Sequence, residues 1–98
     1  MQLRAGAEQE YRRRHDDIWP NLVAELRAAG IHDYRIFLDP ENNCLFAVLT
    51  RARCHRMDEL PNKPVVRRWW AMMADLMITE ADLSPRVTAL QEMFCLAR

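Results

Sequence analysis

The hydrophobic patterning predicts an α+β fold. Three observations carry that expectation: a helix-period pattern that stops at Gly30, two strand-like runs flanking Pro40-Glu41-Asn42-Asn43, and a second broad helical stripe that opens at Pro64. The elements run helix, strand, strand, helix, strand along a single domain covering residues 1–98.

The first helix is read from Glu8 to Ala29, where Tyr11, Ile18, Trp19, Leu22, Val23 and Leu26 recur at helical spacing before Gly30. Pro20 interrupts it. A proline ring removes one ladder hydrogen bond and clashes with the preceding turn, so a bend or a fresh helical start is expected between Asp17 and Asn21. Asp33 to Asp39 alternates, with Tyr34, Ile36 and Leu38 on one face, and Cys44 to Thr50 is rich in strand formers. The turn chemistry between them predicts an antiparallel hairpin. Cys54 to Leu60 reads as a short helical piece before Pro61. From Pro64 onward, Val66, Trp69, Trp70, Met73, Leu76 and Met77 predict a second long helix. Ala89 to Leu96 is read as a closing strand. This order is that of a ferredoxin-like two-layer sandwich with a shortened first strand, since only Met1-Gln2-Leu3 precede the polar entry to the first helix.

Charge excludes some partners. Lys+Arg 14 against Asp+Glu 14 leaves a formal net charge of zero, which argues against nucleic acid and anionic membrane surfaces as partners. Arg12-Arg13-Arg14 is flanked by Glu8, Glu10, Asp16 and Asp17 and reads as a solvated helix face. No apolar run reaches the roughly 20 residues of a membrane span. Cys44, Cys54 and Cys95 are odd in number, and no charged-then-apolar leader precedes them, so a reducing, cytoplasmic compartment is expected. The chain has only Gly6 and Gly30, too few for a glycine-rich phosphate cradle, and a nucleotide cofactor is not expected.

The chemistry-bearing residues are few. Tyr11 and His15 are four apart, so they share one face of the first helix, which Trp19 extends. An imidazole exchanges protons near neutral pH and an adjacent phenol can orient a hydroxyl, although this pair alone fits a structural role better. Trp69 and Trp70 lie about 100° apart on their helix and cannot both point into one part of the core. Taken alone they fit core or interface positions. A tryptophan face can also cover the apolar side of a pyranose. His15, His32, His55 and the cysteines lack metal-ligand spacing, so no metal is expected, and no cysteine has an evident activating neighbour.

Taken together, Glu10-Tyr11-Arg12-Arg13-Arg14-His15, Ile18-Trp19-Pro20, Asp33-Tyr34 leading to Leu38-Asp39, Arg68-Trp69-Trp70, and Ser84-Pro85 followed by Leu90-Gln91-Glu92 resemble the L-rhamnose mutarotase family in order and spacing over nearly the whole chain. The resemblance implies a homodimer of ferredoxin-like subunits, a dimeric α/β barrel, without a bound cofactor. It implies interconversion of the α and β anomers of L-rhamnose by ring opening and closure, with His15 as proton donor to the ring oxygen. Tyr11, Tyr34, Trp69 and Trp70 fall on the sugar-contacting positions. The sequence departs from the family pattern in its short start and at Glu80-Ala81-Asp82-Leu83, where relatives have a loop richer in asparagine and proline. Two other readings remain distinguishable. A cofactor-independent oxygenase on the same barrel would consume oxygen with an aromatic substrate, and a non-catalytic sugar-binding module would bind sugar without speeding anomer exchange.

Overall fold

Pro20 divides the first helical pattern. In the computed structural model, which describes residues 1–96, α1 spans Glu8–Asp16 and α2 spans Pro20–Ala28. Pro20 occupies the first turn of α2, where its missing N–H forfeits no ladder bond, and Trp19 precedes it in an extended conformation. The expected fresh start is therefore present. Gly30 follows α2 with a φ of 98°, and a Cβ there would lie 3.2 Å from the His55 Cα. Glycine meets both demands of this turn, positive φ and close backbone approach.

Strands β1, Ile31–Asp39, and β2, Cys44–Arg51, form the antiparallel hairpin. The Asp39 carboxylate closes its turn by accepting from the Glu41 backbone N–H at 3.0 Å and from the Asn42 side-chain amide at 2.9 Å, and Asn43 takes a φ of 54°. These donors hold the Asp39 carboxyl below the usual carboxylate range. Tyr34 pairs with Leu49 and Phe37 with Phe46. Between Ile31 and Asp33 the register slips by one residue, leaving His32 as the extra residue of a β-bulge.

The N-terminal stretch extends the ladder. Leu3 N–H donates to the Asn43 carbonyl at 2.8 Å, Leu45 N–H donates to Met1 O at 2.8 Å, and Gln2 bridges Cys44. On its other side Leu3 bridges Met77, with Arg4 N–H to Leu76 O at 2.8 Å and Ile78 N–H to Gln2 O at 2.9 Å. Thr79 in turn bridges Pro85.

That pairing corrects two sequence expectations. The second long helix, α3, ends at Met73 after starting at Pro64, and a 3-10 turn carries the chain to Leu76. Met77 then runs extended opposite Leu3, because the backbone bonds Arg4 N–H to Leu76 O and Ile78 N–H to Gln2 O hold the residues on either side of it. The strand expected at Ala89–Leu96 does not form. Those residues have no regular structure, and Leu90, Met93, Phe94 and Leu96 are exposed; the place beside the N-terminal stretch is already taken by Met77 to Thr79. The short helical piece lies at Met57–Asn62, slightly later than expected, as a 3-10 helix that contains Pro61.

The helices cover one face of the hairpin. Leu3, Tyr11, Leu22, Ile31, Leu45, Val66, Trp69, Met73 and Met77 belong to one buried cluster, against which Ile36, Leu38 and Trp70 pack. Leu3 is 2% exposed and sits between the hairpin, to which its N–H donates, and the Met77 segment, which its neighbours Gln2 and Arg4 bond. Leu3→Ala is expected to cost about 3 kcal/mol, as for other fully buried leucines, read as a lower urea midpoint at unchanged slope.

Candidate active site

The site is built where α1 and α3 meet over the sheet. Tyr11 and His15, one helical turn apart, stack with ring centroids 4.3 Å apart and planes inclined by 28°. Trp69 of α3 meets His15 edge-on at 5.2 Å and Trp19 edge-on at 5.1 Å. Aromatic pairs favour such offset and perpendicular arrangements because the ring edge is positive and the face negative. Trp19 thus braces Trp69 from the start of α2.

Arg14 fixes α1 against α3. Its guanidinium donates to the Met72 carbonyl at 2.7 Å and to Asp75 at 2.8 and 3.2 Å, while Nε donates to Glu10 at 3.0 Å. The sequence reading placed all of Arg12-Arg13-Arg14 on a solvated face. For Arg14 this is corrected: its side chain is only 18% exposed, because the end of α3 lies within its reach. Arg13 keeps the expected surface role, pairing with Glu10 and Asp17. The two arginines lower the Glu10 carboxyl to about 2, and Arg14 holds Asp75 below its ordinary value.

Between helices and sheet lies a cavity of about 490 Å³. Tyr11, His15, Tyr34, Trp69 and Trp70 all line it, so the structure brings all five sequence-predicted site residues to one space. Apolar side chains of α2 and the sheet, with Met73 and Met77, form most of the remaining wall. Trp69 is buried and Trp70 half-buried, as their 100° separation requires. Pro85 also reaches the cavity, positioned by the turn at Glu80 to Ser84, where Leu83 takes a φ of 70° and Glu80 N–H donates to Ser84 O at 2.8 Å. Sequence reasoning missed Arg27, His32 and Asp33 as lining residues. The bulge that brings His32 there depends on the β1–β2 register, which local sequence does not display.

The state of His15 follows from one hydrogen bond. Its Nδ1 lies 3.1 Å from the Tyr11 carbonyl oxygen. A carbonyl only accepts, so Nδ1 carries the hydrogen, and in the neutral ring Nε2 holds the free lone pair. Burial lowers the His15 pKa, outweighing the Tyr11 carbonyl and the nearby Asp16 carboxylate, which raise it. His15 is therefore neutral at pH 7 and able to accept a proton at Nε2. Burial raises the Tyr11 phenol well above its ordinary range, with Tyr34 adding to the effect. Tyr34 as a whole residue is 42% exposed, yet its phenol too is held up by the protein around it. Both phenols stay protonated as hydroxyl donors. Among the described residues, no three His, Cys, Asp or Glu side chains converge as a metal site, and no helix is long and apolar enough to cross a membrane.

A family profile described as L-rhamnose mutarotase matches residues 1–96. The chain belongs to the L-rhamnose mutarotase family. A protein of this name from Mesorhizobium japonicum is 52% identical over 97 residues, spanning 99% of this chain and 92% of that one. Another, from Rhizobium johnstonii, is 59% identical over 85 residues, 87% of this chain and 80% of the relative. The crystal structure of the L-rhamnose mutarotase from Formosa agariphila matches with a TM-score of 0.90 at 38% identity, covering 98% of this chain and 92% of that chain. Membership in this family accords with a small α+β protein whose cavity is walled by aromatic side chains.

The half-buried histidine has a consequence for stability. Its folded-state pKa lies below the unfolded value of about 6.5, so between the two values the unfolded chain binds the extra proton. This contribution leaves stability undiminished above pH 6.5 and subtracts from it as pH falls below that value. The exposed carboxylates Glu10 and Asp75, held low by arginine, act in a more acidic range. His15→Gln is expected to flatten the decline just below pH 6.5, measured by urea unfolding across that range, and to leave the more acidic part unchanged.

Proposed function

We propose that the chain interconverts the α and β anomers of L-rhamnopyranose by acid/base-assisted opening and closing of the ring, without a cofactor. The observation that carries this reading is a neutral histidine with Nε2 free, set in the wall of an aromatic cavity of about 490 Å³. Membership in a family named for this activity gives the reaction and the sugar. The oxygenase and sugar-binding-module readings have no comparable support.

Anomer exchange moves two protons and no net electrons. As the bond between C1 and the ring oxygen breaks, the anomeric hydroxyl loses its proton and C1 becomes a carbonyl. Rotation about C1–C2 followed by the reverse steps gives the other anomer. His15 is the proton-transfer residue here. The resemblance makes it the donor to the ring oxygen; with Nδ1–H on the Tyr11 carbonyl, our reading takes a different order, in which Nε2 first takes the anomeric proton and the imidazolium donates it back to the carbonyl oxygen on closure. The ring-oxygen proton then needs a separate source. Tyr11 and Tyr34 orient sugar hydroxyls, and Trp69 or Trp70 covers the apolar sugar face, including the C6 methyl.

The ferredoxin-like sandwich belongs to the same proposal. It is supported by the order β1, β2, Met1 to Leu3, Met77 to Thr79, a four-membered antiparallel succession with helices over one face. Assembly as a homodimeric α/β barrel is supported by the other face, where Phe37, Phe46 and Val48 are exposed and Phe37 lies opposite Phe46 in register. Three free cysteines support a reducing, cytoplasmic setting.

Saturation transfer between the two anomeric proton resonances of L-rhamnose tests the activity. The wild-type protein is expected to accelerate exchange, and His15→Gln to slow it by about 100-fold or more with the fold intact. Absence of transfer with folded wild-type protein would overturn the reading. Sedimentation is expected to give a dimer for wild type and a monomer for Phe46→Glu, since a charge on the apolar sheet face opposes its burial.

A further inference from the structure

We infer that His32 is the second proton-transfer residue of the site, donating to the ring oxygen while His15 accepts the anomeric proton. The inference rests on the mutarotase reading above and assigns a group that reading leaves open.

The geometry begins with the bulge. Ile31 pairs with Arg51 and Asp33 with Thr50, so two steps on β1 match one on β2, and His32 is the additional residue. In an unbroken strand Ile31 and His32 would face opposite sides of the sheet. A bulge turns consecutive residues toward the same side and re-aims them, an arrangement common beside active sites. Ile31 is buried in the core, and both Ile31 and His32 line the cavity together with Tyr34 two residues on. His32 is itself exposed, so it stands where the cavity meets solvent and can exchange its proton with water.

The chemistry then selects it. One imidazole nitrogen cannot accept a proton and donate one in the same step, and without a donor to the ring oxygen the leaving alkoxide would bear a full charge. Five other side chains along the cavity carry acid–base groups or charge, namely Tyr11, His15, Arg27, Asp33 and Tyr34, and the Met1 ammonium there is engaged by donating to Leu45 O at 3.0 Å. His15 is occupied at the anomeric hydroxyl. The phenols of Tyr11 and Tyr34 hold their protons more tightly than ordinary tyrosines. A guanidinium such as Arg27 does not give up a proton in proteins. The Asp33 carboxylate, though it lines the cavity, is already engaged as acceptor by Arg35 Nε at 3.0 Å. His32 remains.

The step balances. His32 gives a ring N–H proton to the ring oxygen as its bond to C1 breaks, while the anomeric O–H proton moves to His15 Nε2. On closure the C5 hydroxyl returns its proton to His32 as it attacks C1, and His15 reprotonates the carbonyl oxygen. Neither residue changes its net proton count over a turnover.

The test is anomer exchange of L-rhamnose by wild type, His32→Gln and His32→Ala, resolved into kcat and KM, with circular dichroism to establish folding. Glutamine preserves hydrogen bonding without proton transfer, and the exposed position tolerates either change. The expected result is a fall in kcat of about 100-fold for both variants with KM little changed, and partial recovery of His32→Ala by added imidazole. Wild-type kcat in His32→Gln, or a loss confined to KM, would overturn the inference while the mutarotase reading stood. An inactive wild type would overturn both.

Discussion

The contact between His15 of α1 and Trp69 of α3 is the constraint on which the site depends. It exists because each helix turns an aromatic toward the other: Tyr11 stacks under the imidazole, and Trp19 supports Trp69 from behind. Neither helix positions this group alone. The packing partly shields His15 from water and favours its neutral form, while the carbonyl of Tyr11 selects which nitrogen keeps the hydrogen. Core packing and the protonation state of the candidate catalytic group thus have one origin.

The same contact explains the value of Arg14. A surface ion pair contributes little by itself. Arg14 instead spans two elements, bonding Glu10 within α1 and both Met72 O and Asp75 at the end of α3. The Met72 carbonyl is one of those a helix leaves unpaired at its C-terminal end, so the guanidinium satisfies a backbone group while setting the distance between helices. The backbone from Gln2 to Arg4 performs the corresponding task below, joining the hairpin to the segment after α3.

What the sequence revealed was what local chemistry determines. Proline at position 20 has one place in a helix where its missing N–H is harmless, and α2 starts there. Asp39 and Asn43 supply a turn whose demands are met within five residues. The Tyr11 and His15 pair was legible from spacing, and the resemblance added Tyr34, Trp69 and Trp70, all of which the fold brings to the cavity. Long-range pairing was not legible. Leu76 and Met77 continue the helical period of α3, and nothing nearby signals that the N-terminal stretch pairs with Leu76 to Ile78. Leu90, Met93, Phe94 and Leu96 looked like a strand because they are apolar and loosely alternating, yet the position beside the N-terminal stretch is filled by Met77 to Thr79. His32 was passed over for a related reason: its direction follows from a one-residue register slip, not from its neighbours in sequence.

The central claim is that His15 rests neutral with its proton on Nδ1, leaving Nε2 to receive a proton from the sugar. Long-range proton–nitrogen correlation spectra of the imidazole, assigned through His15→Gln, report this directly at neutral pH. The account predicts a protonated Nδ1 and a bare Nε2 for His15. A ring protonated on Nε2, or one carrying both protons, would contradict it.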